Sequence, residues 1–231
     1  MAGPYTGQMK AVLYRDAPGI PVVDLLADAP SARPQPAAYL LAAYAAWFDP
    51  GTVFLCVVDP GVGGSRAPLI VRADRHWFVG PDNGLFELVL RRAAKSQVWH
   101  ITFKPAALSA SFHGRDLFAP VAARLARGGK PPGRAHLPMR FPAWPDDLAQ
   151  VVYVDHYGNA ITGLRAAALP PQARLSIADG ALPRVRTFSD VPHAAALCYE
   201  NANGLMEVAI NGGRADAVLG LAVGSTLTVV P

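Results

Sequence analysis

Cysteine is nearly missing from this chain, with two residues in 231, Cys56 and Cys198. Both lie in apolar runs predicted as strands. Two such residues make neither a disulfide framework nor a zinc site, and both are read as reduced core residues. Histidines are few and scattered. His76, His100, His136, His156 and His193 form no H-x-x-x-H or H-E-x-x-H pattern, so no metal site is expected. No run reaches the roughly 18 apolar residues of a membrane span, and the alanine-rich stretch 36–48 stops at Asp49-Pro50. The first residues, M-A-G-P-Y-T-G-Q-M-K, have no signal-peptide apolar region, so a cytoplasmic protein with no membrane partner is expected. A Walker loop and a G-x-S-x-G elbow are absent, and the G-V-G-G run at 61–64 does not open a helix as a dinucleotide fingerprint would. The charged fraction is only 16%, with a net charge of +4. The basic residues are dispersed apart from pairs such as Arg91-Arg92, and no basic stripe interleaves with aromatics. Nucleic acid is therefore not the expected partner.

What the chain does have is apolar content, 52% of residues, enough for a sizeable core. Its organising stretch is T-V-F-L-C-V-V-D-P-G-V-G-G-S-R, residues 52–66. The run Val53 to Val58 reads as a strand buried on both faces. It ends on Asp59, and Pro60 cannot extend a ladder. A glycine loop then leads to Arg66. An acid at the end of a buried strand, followed by such a loop and an arginine, is a way for an α/β sheet to present chemistry; a tight turn with a surface ion pair would read the same.

The remaining elements follow in order. Strands are predicted over 8–14 and from Pro21 to Leu26, and a helix from Pro36 to Phe48. Pro68 to Arg72 and His76 to Val79 read as a hairpin. In G-P-D-N-G (80–84), Asp82 or Asn83 is predicted to cap a helix from Leu85 to Ala94. A strand over Gln97 to Phe103 and a helix from Leu117 to Arg127, capped by Asp116, complete an N-terminal α/β domain, residues 1–130, with a largely parallel sheet. Residues 131–147 are proline-rich and read as a linker. From 148 to 231 short strands dominate: 149–154, 174–177, 184–188, 196–200, 205–210 and 226–230. Turns such as Ala178-Asp179-Gly180 separate them. That pattern predicts a small C-terminal antiparallel β-barrel domain, or a sandwich.

Polar clusters sit at the ends of these elements, where function tends to gather. They are Asp59 with Arg66, Asp82-Asn83, S-F-H-G-R-D at 111–116, D-H-Y-G-N at 155–159, and N-A-N-G at 201–204. Each also has a plain structural reading as a cap, a turn or a buried histidine.

Taken together, V-V-D-P-G-V-G-G-S-R, F-V-G-P-D-N-G-L, S-F-H-G-R-D-L-F-A-P-V-A-A, D-H-Y-G-N-A-I-T and N-G-L-M-E-V-A-I-N resemble, in this order, the SAM hydroxide adenosyltransferases, relatives of the fluorinase and chlorinase enzymes. The likeness runs from about Tyr5 to Val230. It implies an α/β domain linked to a β-barrel, and hydrolysis of S-adenosyl-L-methionine (SAM) to adenosine and L-methionine without a cofactor. It also implies a homotrimer, with SAM between the N-terminal domain of one subunit and the C-terminal domain of the next. The family's catalytic set maps to Asp59, Arg66 and His113: Asp59 orients Arg66, Arg66 stabilises hydroxide, and His113 holds the water or accepts its proton. That set marks the hydroxide branch rather than a halogenase. For binding, the resemblance assigns Asp155 to the methionine ammonium, Asn159 to adenine, and Asn201 to the methionine end. Backbone groups around Ile210 to Gly212 would meet the adenine edge, and Phe188 would stack on it.

Three positions depart from the family pattern. The family's leading strand and T-D-F-G, whose aspartate binds the ribose, have no counterpart in this sequence. The serine of N-S-x-G is Ala202, and an arginine that often follows Arg66 is Ala67. A non-catalytic SAM- or adenosine-binding protein is therefore the alternative expectation, with a SAM-dependent halogenase behind it.

Overall fold

The residues expected as a first strand over 8–14 form a helix, α1 (Pro4–Asp16), in the computed structural model, which describes residues 3–177 and 180–231. Pro4 at the first turn presets helical φ where no N–H is needed. Met9, Val12 and Leu13, spaced i, i+3, i+4, turn inward together. A short apolar run such as A-V-L does not by itself separate strand from helix. Residues 21–26 pair with no strand; there Asp24 accepts from Lys10 at 2.5 Å.

The chain divides into two units between Phe141 and Pro142. The first is built on a five-stranded sheet of β1 (Val53–Leu55), β2 (Pro68–Ala73), β3 (His76–Pro81), β4 (Ser96–Ile101) and β5 (Gly133–Ala135), ordered β1-β3-β2-β4-β5. Only β1 and β3 run parallel; the other three pairings are antiparallel. The sheet is thus mixed. The reason is the β2–β3 hairpin: its two-residue turn, with Asp74 at φ 49°, forces an antiparallel pair into the middle of the sheet. β5 lies in the proline-rich stretch read as linker.

Strand alternation sends Leu69 and Val71 to one face, where they meet Leu41 of α2 (Pro34–Tyr44) and Val89 of α3 (Glu87–Arg92). Ile70 and Val79 go to the other face and meet Val121 and Leu125 of α4 (Ala119–Ala126). A π-turn, Gly114–Phe118, runs directly into α4. α1 packs on α4 and on that turn. Among the described residues no helix is long and apolar enough to cross a membrane.

The second unit holds two antiparallel sheets. One is ordered β10-β11-β7-β6, from β6 (Leu148–Val154), β7 (Ala160–Arg165), β10 (Ala196–Glu200) and β11 (Leu205–Ile210). The other is β12-β8-β9, from β8 (Arg174–Ile177), β9 (Gly180–Leu182) and β12 (Thr228–Val230). Single bridges, Gln150 to Thr226 and Arg184 to Cys198, link them around a shared core of Val151, Leu175, Cys198, Met206 and Val208. The described residues form no closed barrel. A strand expected over 184–188 is replaced by a 3-10 turn, Phe188–Asp190, because Thr187 and Asp190 cap it reciprocally. A short helix, α5 (Ala215–Val218), follows β11. Ala178 and Asp179 of the expected turn lie outside the described residues.

Candidate active site

The first polar cluster is assembled by the end of β1. After Leu55 the chain continues beside β3, with the Cys56 N–H donating to the Val79 carbonyl at 2.9 Å. It then breaks at Pro60 into the glycine loop. Gly63 has φ +77° and its α-carbon faces the Ala110 carbonyl too closely for any side chain. That contact lays the loop against the segment leading to His113. Arg66 closes the loop as a two-pronged pair with Asp59, Nε to Oδ1 at 2.9 Å and Nη2 to Oδ2 at 2.5 Å. The two side chains are 8% and 5% exposed. The guanidinium lies 5.3 Å from the centre of the Phe118 ring, which fixes its plane.

Arg66 Nη2 also lies 2.8 Å from His113 Nδ1. Guanidinium only donates, so Nδ1 accepts and the neutral ring carries its hydrogen on Nε2. Burial, then the Arg66 charge, hold His113 below the ordinary imidazole value of 6.5, against smaller opposing pulls from Asp59 and Asp116. Gly114, buried at the start of the π-turn, is packed against Met9 Sδ and Val57; a β-carbon there would sit 2.8 Å from the sulfur. The three residues that the resemblance named as a set are thus linked through Arg66, which touches both Asp59 and His113. The structure adds Phe118, which no local signal in the sequence separated from core.

The expected helix caps are not caps. Asn83 Nδ2 donates to the Val58 carbonyl at 2.9 Å, while its Oδ1 accepts from the Leu85 N–H at 3.3 Å. Asp82 is buried and accepts from the Met139 N–H. α3 begins later, after Phe86, with no side-chain cap. Asp116 accepts from the Ser109 N–H and from Arg115, tying the 109–116 loop together within the π-turn.

The second unit carries its own cluster. Asp155 sits in the β6–β7 turn and folds its carboxylate back on that turn: Oδ1 accepts from the Tyr157 and Asn159 N–H groups, both at 2.9 Å, and Oδ2 from Asn159 Nδ2 at 3.0 Å. Asn201 ends β10. Its Oδ1 accepts from the Asn203 and Leu205 N–H groups, and its Nδ2 donates to Glu207 at 2.9 Å. Glu207, opposite Tyr199 in the β10–β11 ladder, is 4% exposed and also accepts from the Tyr199 hydroxyl at 2.5 Å. Burial pushes its carboxyl up from the ordinary value, and the negative charge of Asp155 pushes the same way. Phe188 meets Tyr199 edge-on, centroids 5.2 Å apart. Ile210 is buried and its carbonyl accepts from Gly213; Gly212, at φ +72°, lies under the His193 ring. Asp155, Asn159, Asn201 and Phe188 therefore gather around Tyr199 and Glu207, whereas Ile210 and Gly212 belong to the next turn. Sequence reasoning missed Glu207, although a lone carboxylate inside L-M-E-V-A-I is a signal. Among the described residues no group of three His, Cys, Asp or Glu is placed to hold a metal ion.

The family model for the SAM hydroxide adenosyltransferase N-terminal domain matches residues 1–135, and that for the C-terminal domain matches 149–228. A Thermus thermophilus protein named (R)-S-adenosyl-L-methionine hydrolase is 39% identical over 96% of this chain and 92% of its own length. One of the same name from Salinispora arenicola is 35% identical over 99% and 94%. An uncharacterised conserved protein from Thermotoga maritima superposes with a TM-score of 0.89 at 27% identity, covering 100% of this chain and 96% of that one.

Proposed function

The chain belongs to the SAM hydroxide adenosyltransferase family and is a SAM hydrolase; we propose that Asp59, Arg66 and His113 prepare its oxygen nucleophile and that the Asp155 cluster holds the methionine end of the substrate. In the reaction the oxygen of water or hydroxide bonds to ribose C5′ while the C5′–S bond breaks. The electron pair stays on sulfur, so methionine leaves as a neutral thioether and needs no acid. A proton goes to solvent. The chain's task is to position an oxygen in line and favour its anionic form.

The observation that carries the assignment is the Arg66–His113 contact. With Nδ1 engaged and hydrogen on Nε2, His113 donates to an oxygen rather than stripping it, and the adjacent guanidinium favours hydroxide. Proton acceptance by His113 would first require release of Arg66. Asp59 keeps the guanidinium in register. In the second unit Asp155 would receive the ammonium. Asn201 would shape the 201–204 turn at the methionine end. Asn159, with Nδ2 committed to Asp155, would meet adenine through Oδ1, beside Phe188 and the Ile210–Gly212 backbone. A homotrimer completes this reading and rests on the resemblance.

The test is to incubate purified protein with SAM in halide-free buffer and follow adenosine and methionine by chromatography. Adenosine should form with the parent protein, and His113→Ala should fall by about a hundredfold or more. Equal rates in His113→Ala and the parent would overturn the site assignment. A nucleoside product formed only with added halide would overturn the reaction.

A further inference from the structure

The eight-residue loop from Asp59 to Arg66 contains Pro60 and three glycines, and its own backbone bonds are two turn contacts, Val62 N to Asp59 O at 3.3 Å and Gly64 N to Gly61 O at 3.0 Å. Such a loop would not by itself hold two side chains to hydrogen-bond tolerance. Its ends, however, are tied to adjacent residues of one turn. Asn83 Nδ2 donates to the carbonyl of Val58, the residue before Asp59, at 2.9 Å. The Asp82 N–H donates to the carbonyl of Ala67, the residue after Arg66, at 2.8 Å.

The turn is itself anchored. Both Asp82 carboxylate oxygens accept from the Met139 N–H at 3.1 Å, and His136 Nε2 lies 3.5 Å away. On the other side Asn83 Oδ1 accepts from the Leu85 N–H. The geometry points to Asp82-Asn83 as a positioning clamp that closes both ends of the loop carrying Asp59 and Arg66. Neither residue is placed on substrate. Their effect passes through the loop to the 2.8 Å contact between Arg66 and His113, which a displacement of about 1 Å would break. The inference rests on the reading of Asp59, Arg66 and His113 as the hydrolytic site.

The experiment is Asn83→Ser. Serine can still accept from the Leu85 N–H but is too short to reach the Val58 carbonyl, and it adds no charge. Three quantities are read: kcat and KM for SAM, and the NMR titration of the His113 imidazole, assigned with His113→Ala. The clamp predicts a fall in kcat of about a hundredfold with KM within about twofold. It also predicts that His113 titrates closer to 6.5, because Arg66 no longer stands against its ring. A purely structural role would lower the melting temperature and leave that titration unmoved. A folded Asn83→Ser protein with parental kcat, or with lost kcat but an unmoved His113 titration, overturns the clamp. Asn83→Ala removes the same donor and decides the question if the serine variant does not fold. If the parent protein releases no adenosine, the reading of the reaction fails, while the His113 titration still judges the clamp.

Discussion

Asp59 and Glu207 are both nearly closed off from solvent, one in each unit, and they are treated in opposite ways. Asp59 faces a guanidinium in a two-pronged pair. Glu207 faces only neutral donors, the Tyr199 hydroxyl and the Asn201 amide, with the negative Asp155 nearby. Among the described residues no side-chain cation makes a hydrogen bond or ion pair with Glu207 or Asp155, though the Arg214 guanidinium, bonded to the His156 carbonyl, is near enough to feel the Asp155 charge. The first unit therefore neutralises its own acid and turns the cation's free edge toward His113. The second satisfies Glu207 with neutral donors alone, and under the proposed reading the unit's negative charge would face the ammonium of SAM. Burying Glu207 without a cation of its own costs stability, and its raised carboxyl is the sign of it.

The largest test of this contrast is Arg66→Met. It leaves Asp59 buried without its partner, which should cost about 3–5 kcal/mol of unfolding free energy by denaturant titration, and it should abolish turnover. The double variant with Asp59→Asn should recover much of the stability and none of the activity. A loss under about 1 kcal/mol in the single variant would show that the pair is not what offsets the burial of Asp59.

A smaller effect is expected in the second unit. Glu207→Leu orphans the Tyr199 hydroxyl and one donor of Asn201, at about 1–3 kcal/mol for each group left unpaired in the interior. Tyr199 is half-buried and can turn toward water, so the sum should stay near the low end. Glu207→Gln keeps an acceptor for one of them, and the rotatable Tyr199 hydroxyl can accept from its amide. Its stability near neutral pH should match or exceed the parent. A Gln variant as damaged as the Leu variant would mean that the charge itself, and not the hydrogen bonds, holds the β10–β11 ladder.

Legibility in the sequence followed the same division. The glycine loop and Arg66 are readable because a proline and an acid after an apolar run are local signals, whereas the strand before them is shorter than the expected Val53 to Val58: it stops at Leu55, and only Phe54 within it is buried. The hairpin of β2 and β3 is readable too. Its place in the middle of the sheet is not, since strand order is set by tertiary packing and no local pattern encodes it. α1 is not legible because A-V-L fits two periods, and only contact with α4 and the π-turn decides between them. Asp82, Asn83 and Asp116 were recognised as polar residues at element ends, but partners far along the chain (Met139, Val58) or across a loop (Ser109) replaced the helix N–H groups they were expected to cap. Glu207 was hidden for a related reason: its partners lie across a hairpin, so a lone acid in an apolar strand gave no hint of what satisfied it.

The smallest and sharpest prediction concerns pH. Glu207 has its folded value raised above 4.5, so between 4.5 and that value the native state binds more protons than the unfolded chain. Its contribution to stability is full below 4.5 and is lost as pH rises through the folded value. His113 has its folded value depressed below 6.5. Between that value and 6.5 the unfolded chain binds more protons, so its contribution grows as pH rises. The two slopes have opposite signs. Subtracting Glu207→Gln from the parent, by denaturant unfolding at several pH values above 4.5, should isolate a stability difference that moves in favour of the variant as pH rises, by no more than about 1.4 kcal/mol per pH unit. His113→Ala should show the reverse sign: the parent gains on the variant as pH climbs toward 6.5. A flat difference for Glu207→Gln would mean that Tyr199 and Asn201 compensate the buried charge fully, and the contrast between the two units would then lie in hydrogen-bond geometry alone.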